Sequence, residues 1–166
     1  RLRAAKGVTL EQAQQLVATP TYFATMMVQM DDADGMVSGA THTTAETIRP
    51  AFQIIKTDPG VALASSAFLM LMADHVLVLA DCAIVVTPNA KELAQIAMTS
   101  AETARQFGVD PRVAMLSYAT LASGYGESVD LVREATELVK QAQPDLDVEG
   151  PIQYDAAVDA EVGAQK

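Results

Sequence analysis

The sequence has no tryptophan, one cysteine and two histidines, and it sets only eleven basic side chains against 21 acidic ones. A lone thiol, Cys82, allows no internal disulfide and no cysteine-based zinc cluster. His42 and His75 stand in no recognisable nucleophile motif with Ser or Cys, so a hydrolytic triad has nothing to be built from. The phosphate-binding P-loop and the dinucleotide glycine fingerprint are both missing. A net charge of -10 and a pI near 4.4 argue against nonspecific binding to nucleic acid or anionic membranes, because the average field repels polyanions. The longest apolar stretch, Val61 to Ala73, is interrupted by Ser65 and Ser66 and stops at Asp74 and His75. It is too short to span a bilayer as a helix. The basic start is not followed by the apolar region of a signal peptide, so the expected location is the cytoplasm.

Half of the 166 residues are hydrophobic but only 5% are aromatic, which leaves Ala, Val, Leu and Met to fill the interior. A chain of this length can bury a core as one domain or as parts of two. The methionines, Met26, Met27, Met30, Met70 and Met72 among them, lie in apolar runs and are read as packing residues rather than a soft metal site. Asp31, Asp32 and Asp34 match no metal-binding loop and are read as a solvated turn. Arg1, Arg3 and Lys6 make either a solvated charged end or a landing point for a phosphorylated ligand. With no initiator Met and a last stretch EVGAQK, the chain is expected to be a piece of a longer protein.

The stretch that organises the rest is Asp34 to Pro50, DGMVSGATHTTAETIRP. Met36 and Val37 read as a strand end, the small and hydroxyl residues from Ser38 to Thr44 as a loop, and Thr43 with Glu46 as the capping box of a helix. Loose backbone amides, a glycine, several hydroxyls and Arg49 suit a phosphate or carboxylate. The same residues also suit a plain strand-to-helix turn whose threonines only cap the helix.

Along the chain, Thr9 and Gln12 predict a second capping box opening a short helix, and Thr19 and Pro20 restart a helix to about Met30. Asp58, Pro59 and Gly60 mark a turn and a lobe boundary. Two apolar runs, Ala62 to Met72 and Val76 to Val86, suggest a hairpin or neighbouring strands, with His75 in the turn. Thr87 and Pro88 look like the start of a helix that places Leu93, Ile96, Ala97, Ser100, Ala101 and Ala104 on one face and closes at Gly108. Arg112 to Tyr118 reads as a buried strand and Ala119 to Ser128 as a flexible loop. The next helix, Ser128 to about Gln143, is broad enough in its apolar face to lie on a sheet. A short strand follows at Leu146 to Glu149, and a helical tendency from Asp155. Tyr154 and Asp155 suit a cleft or a mere strand end. Strands alternating with helices indicate an α/β, three-layer sandwich with a largely parallel sheet, whose ligand loops lie beyond the strands' carboxyl ends.

The string SGATHTTAETIRPAFQIIKT resembles the phosphate acetyltransferase family. ADHVLVLADCAI, PRVAMLSY, VREAT and EGPIQYDAAV resemble further segments of it, in the same order. The resemblance implies a two-lobed parent fold, with residues 1–58 in the first lobe and 59–166 forming most of a second α/β lobe cut at its carboxyl end. It implies reversible acetyl transfer between acetyl phosphate and coenzyme A, with coenzyme A as substrate, no permanently bound cofactor, no metal, and a homodimer. Arg49 matches the family arginine that contacts the ligands, and Arg3 one associated with coenzyme A. Ser38, Gly39, Ala40, His42 and Thr43 match the motif shaping the cleft, Asp81 the aspartate of a GDCA-like segment, and Ser117 with Tyr118 an MLSYS-like strand end.

Three departures bear on ligand contact. The family usually has Gly at Ala80, an Asn-Pro-Asp-Pro-like run at Val85, Val86, Thr87 and Pro88, and a Ser, Thr and Gly-rich loop at Ala119, Leu121 and Ala122. The family's Ser-Arg pair and aspartate base have no match here, so the chain alone is expected to be inactive. Related alternatives are a phosphate butyryltransferase and the acetyl-coenzyme A-sensing domain fused behind malic enzymes. A structural dimerisation module is a third, since broad apolar helices also suit a subunit interface.

Overall fold

The structure is a computed structural model and describes residues 1–165. Its contacts divide the chain into two compact units, Arg1–Gly60 and Val61–Lys166.

The first unit is helical. After a 3₁₀ turn at Ala4–Lys6 come α1 (Leu10–Val17), α2 (Pro20–Gln29) and α3 (Thr44–Ile54). Capping decides where α1 starts: Gln12 N donates to Thr9 Oγ1 at 3.2 Å while Thr9 N donates to Gln12 Oε1 at 3.0 Å. Pro20 occupies the first position of α2, where its missing N–H costs nothing. Tyr22 Oη donates to Gln53 Oε1 at 2.9 Å, pinning α2 to α3. The strand expected at Met36 and Val37 does not form, and Val37 is fully exposed. A strand needs a neighbour to take its amides and carbonyls, and this unit offers only helices. Pro50 sits inside α3, buried.

The second unit is mixed α/β. It runs β1 (Ala67–Leu71), β2 (Val76–Ala80), α4 (Ala90–Gln106), β3 (Arg112–Leu116), α5 (Glu127–Ala142), β4 (Asp147–Ile152), α6 (Tyr154–Val158) and α7 (Ala160–Gln165). β1 and β2 form an antiparallel hairpin in which Leu69 faces Val78, closed by Met72 N donating to His75 O at 2.9 Å. β3 and β4 are parallel, with α5 as the crossover and Val113 beside Val148. Thr87 and Pro88 precede α4 rather than opening it. Asn89 is the cap, because Asn89 and Glu92 exchange bonds of 2.9 and 3.0 Å, whereas a cap at Thr87 would face Ala90, which cannot reciprocate.

The core lies where α4 and α5 pack on the parallel pair. Ala94, Ala97 and Ala101 of α4 meet Val132, Ala135 and Val139 of α5 above Met115 and Val148. The alanine stripe lets the two helices approach closely, and the apolar area removed from water holds the layer together. Gly150 in β4 completes the fit: a Cβ there would lie 2.5 Å from Met115 Cβ and 3.0 Å from Thr136 Oγ1.

Candidate functional site

In the first unit, residues 36–42 run without regular structure beside the start of α2. Buried Thr25 donates its hydroxyl to Thr21 O at 2.7 Å and lies 3.9 Å from Met36 Sδ, which fixes where the segment begins. A pocket of about 250 Å³ opens between Pro20, Thr21 and Ala24 of α2 and the segment 36–42. Its walls differ in chemistry. Ala24 of α2 and Met36 are its half-buried apolar members, Pro20, Val37 and Ala40 its exposed ones, and Ser38, Thr41 and His42 carry most of its polar groups. Gly39, at φ +116°, turns the chain through a conformation that side chains rarely adopt.

The polar wall is tied to α3. Ser38 Oγ and Thr47 Oγ1 are hydrogen-bonded at 3.1 Å, and Thr41 Oγ1 lies 3.2 Å from His42 Nδ1. Thr43 caps the helix: Glu46 N donates to Thr43 Oγ1 at 3.3 Å and Thr43 N donates to Glu46 Oε2 at 2.8 Å. Two of the amides at this helix start are therefore already taken, Thr43's by the Glu46 carboxylate and Glu46's by the Thr43 hydroxyl. Thr43's amide and then its hydroxyl keep the Glu46 carboxyl below its usual range, with smaller contributions from His42 and Arg49 against slight desolvation. An incoming anion must be met by the loop and by nearby cations rather than by those two amides.

Charge is unevenly shared between the units. Five of the eleven basic residues, Arg1, Arg3, Lys6, Arg49 and Lys56, fall in Arg1–Gly60, against six of the 21 acidic ones. The first unit is close to neutral and the second carries nearly all the negative charge. An anionic ligand meets less repulsion at the first.

Of the residues singled out from sequence, Ser38, Gly39, Ala40 and His42 line the pocket, and Thr43 caps the helix beside it. Arg49 is exposed on α3 and in no ion pair among the described residues, but it does not line the pocket. Arg3 precedes the 3₁₀ turn, and its Nε is buried with no acceptor among the described residues.

Asp81, Ser117 and Tyr118 belong to the second unit. Burial pushes the Asp81 carboxyl up, but donors from Ser66 Oγ and the amides of Ile84, Ala83 and Val85 outweigh it and hold the carboxyl well below the ordinary range. Those amides lie 2.8 to 3.1 Å from its oxygens, so Asp81 knots the loop after β2. Ser117 N donates to Ile152 O at 2.9 Å, and Tyr118 Oη donates to Tyr125 O at 2.8 Å.

The loop from Ala119 to Ser128, expected to be flexible, is knitted to the end of β4. Leu121 N donates to Pro151 O at 2.8 Å, Gln153 N donates to Thr120 Oγ1 at 3.2 Å, and Ala119 and Thr120 are buried. Composition suggests mobility there, but a buried threonine that bonds both ways across the parallel pair overrides it.

Sequence reasoning missed the apolar wall. The sequence reads Pro20, Thr21 and Ala24 only as part of a helix; the signal available is that these smaller residues recur at helical spacing on one face, with Tyr22 and Phe23 between them. Among the described residues, no group of three or more His, Cys, Asp or Glu side chains is placed to hold a metal, and no helix is long and apolar enough to cross a membrane.

A model of the family described as phosphate acetyl/butaryl transferase matches residues 1–166. The chain belongs to this family. It is 57% identical to the phosphate acetyltransferase of Synechocystis sp. over 166 residues, covering 100% of this chain and 24% of that protein. It is likewise 57% identical to the phosphate acetyltransferase of Nitratidesulfovibrio vulgaris over 164 residues, 99% of this chain and 23% of that one. Among solved structures it resembles a phosphotransacetylase from Streptococcus pyogenes, with a TM-score of 0.88 and 49% identity over 98% of this chain and 50% of the other. The chain thus spans about a quarter of the length of these curated relatives and half of that solved one. The family's α/β architecture agrees with the strands and helices seen here.

Proposed function

We propose that the protein to which this chain belongs is a phosphate acetyltransferase, exchanging acetyl between acetyl phosphate and coenzyme A. The observation that carries the reading is that the family motif, residues 38–42, lines a pocket of small-molecule size. In the reaction the coenzyme A thiolate attacks the acetyl carbonyl, the carbon–oxygen bond to phosphate breaks, and inorganic phosphate leaves; the reverse direction exchanges the same groups. Such transfer needs aim and electrostatic support more than covalent chemistry. Ser38, Thr41 and His42 offer hydroxyl and imidazole groups to the phosphoryl end. Arg49, exposed, in no ion pair among the described residues and outside the pocket's own lining, supplies a fixed positive charge in a planar fork suited to phosphate. Arg3 contributes a buried Nε that a coenzyme A phosphate would satisfy. Asp81, Ser117 and Tyr118 shape the second unit's loops and reach a ligand only through them.

The base that deprotonates the thiol lies, on the family resemblance, in a segment downstream of this chain. The whole protein is expected to act in the cytoplasm as a homodimer, with coenzyme A as substrate and no permanently bound cofactor.

The test is Arg49→Ala in the full-length protein. Removing one phosphate donor costs about 2–4 kcal/mol of transition-state stabilisation, a fall in kcat/KM of roughly 30- to 1,000-fold. Unchanged kinetics would take Arg49 out of the site. The 166-residue chain alone is expected to show no thiol-dependent loss of acetyl phosphate, and turnover by it would overturn placing the base downstream.

A further inference from the structure

We propose that the apolar wall of this pocket, Ala24 and Met36, sets the length of acyl chain the enzyme accepts, an inference that rests on the acyl-transfer reading above. At about 250 Å³ the pocket lies under the roughly 300–1,000 Å³ typical of drug-sized ligands, so it suits a small acyl phosphate better than a whole coenzyme. An acyl phosphate has two unlike ends. The phosphoryl group seeks donors, and those lie on the Ser38, Thr41 and His42 side. The alkyl group seeks desolvation, and among the apolar residues of the lining Ala24 and Met36 are half-buried whereas Pro20, Val37 and Ala40 are exposed, so the Ala24 and Met36 side offers it best. The two-sided lining thus fixes the direction in which the substrate lies, with its chain toward α2.

On that side two residues control depth. Ala24 is half-buried and projects only a methyl, so a larger residue there would fill the space a longer chain needs. Met36 is half-buried and anchored with its sulfur 3.9 Å from Thr25 Oγ1. An unbranched thioether packs closely around a short chain and yields room when truncated. The family is described by transfer of two acyl groups of different length, and the choice between such lengths rests here on two side chains.

The test measures kcat/KM for acetyl, propionyl and butyryl phosphate with the full-length protein at fixed coenzyme A. Each methylene in an apolar pocket is worth about 10- to 200-fold in discrimination. Met36→Ala is expected to raise the butyryl-to-acetyl ratio by roughly tenfold and Ala24→Leu to lower it by a similar factor. A ratio is read only from folded, turning-over molecules, so partial misfolding of a variant cancels; should Met36→Ala fail to fold, Ala24→Leu decides alone. Ratios unmoved from the parent's would overturn the assignment. So would a change in KM for coenzyme A, equal for all three acyl groups, which would give the wall to the thiol arm. A parent protein that transfers no acetyl group at all removes the enzymatic reading itself, an outcome distinct from a transferring parent whose ratios do not move.

Discussion

Replacing Asp81 by Asn separates a structural carboxylate from a ligand-binding one. In the native loop the two oxygens receive the Ser66 hydroxyl and the amides of Ala83 at 2.8 Å, Ile84 at 3.0 Å and Val85 at 3.1 Å. Ser66 Oγ in turn accepts from Cys82 N at 3.0 Å and Ala83 N at 2.9 Å, so the hydroxyl and the carboxylate form one network. Asparagine keeps one acceptor oxygen, replaces the other by an NH₂ that faces an amide donor, and removes the charge. One donor is left unsatisfied, at about 1–3 kcal/mol, and the remaining bonds fall from charge-assisted to neutral strength. Because Asp81 is only partly buried, the total is taken at about 2–3 kcal/mol.

The assay is urea unfolding of the full-length protein, read as a change in midpoint at constant slope. A loss under about 0.5 kcal/mol would refute the network argument, since that is the range of ordinary surface substitutions. Ser66→Ala and the double variant complete a cycle, and the two losses should fall short of adding. The pH dependence has a definite sign. The folded carboxyl is held below its unfolded value of about 3.9, so its contribution is complete above that pH and fades as pH falls toward the lowered folded value. The gap between parent and Asp81→Asn should therefore narrow on acidification below pH ~4. A gap constant from neutral to acid pH, or a raised KM with undiminished stability, would return Asp81 to a ligand role.

Three other perturbations test the packing and the backbone. Gly150→Ala forces a methyl to within 2.5 Å of Met115 Cβ and 2.8 Å of its carbonyl, and should destabilise by about 1–3 kcal/mol in urea unfolding. Lys56 follows α3 at φ +70° with its amide donating to Ala51 O at 2.9 Å, a left-handed cap normally given to glycine. Lys56→Gly should raise the unfolding midpoint by about 0.5–1 kcal/mol, and a loss would show that the lysine side chain holds something. Thr43→Ala removes the α3 cap at about 1 kcal/mol and leaves the Glu46 amide without its acceptor, with hydrogen exchange in the first turn of α3 rising first.

How far these elements could be read from sequence depended on whether the deciding interaction was local. The capping boxes at Thr9 and Thr43 were legible because both partners sit three residues apart. The stripe of α4 and the broad face of α5 were legible because burial repeats with the helical turn: Ile96, Ala97, Ala101 and Ala104 are buried as the spacing predicted, and on α5 Val129, Val132, Ala135, Thr136 and Val139 are buried. What failed was decided at a distance. A strand at Met36 and Val37 needs a neighbour, and the stiffness of the Ala119 to Ser128 loop comes from Pro151 and Gln153, some thirty residues away. Leu121 and Lys56 take left-handed backbone that no sequence rule assigns to Leu or Lys.

The candidate site divides along the same line. The polar wall is a contiguous motif and could be seen as one string. The apolar wall belongs to a helix start some fifteen residues earlier, and only folding brings Ala24 beside Met36. Opposite effects on catalysis should follow. Changes in the string, at Ser38 or His42, act on the phosphoryl group that every substrate shares, so they should lower kcat/KM by a common factor for all acyl phosphates. Changes in the helix wall act on the part in which substrates differ, and should alter their ranking. A Ser38→Ala variant that reordered acyl preference, or lost nothing, would mean that the ligand lies the other way round.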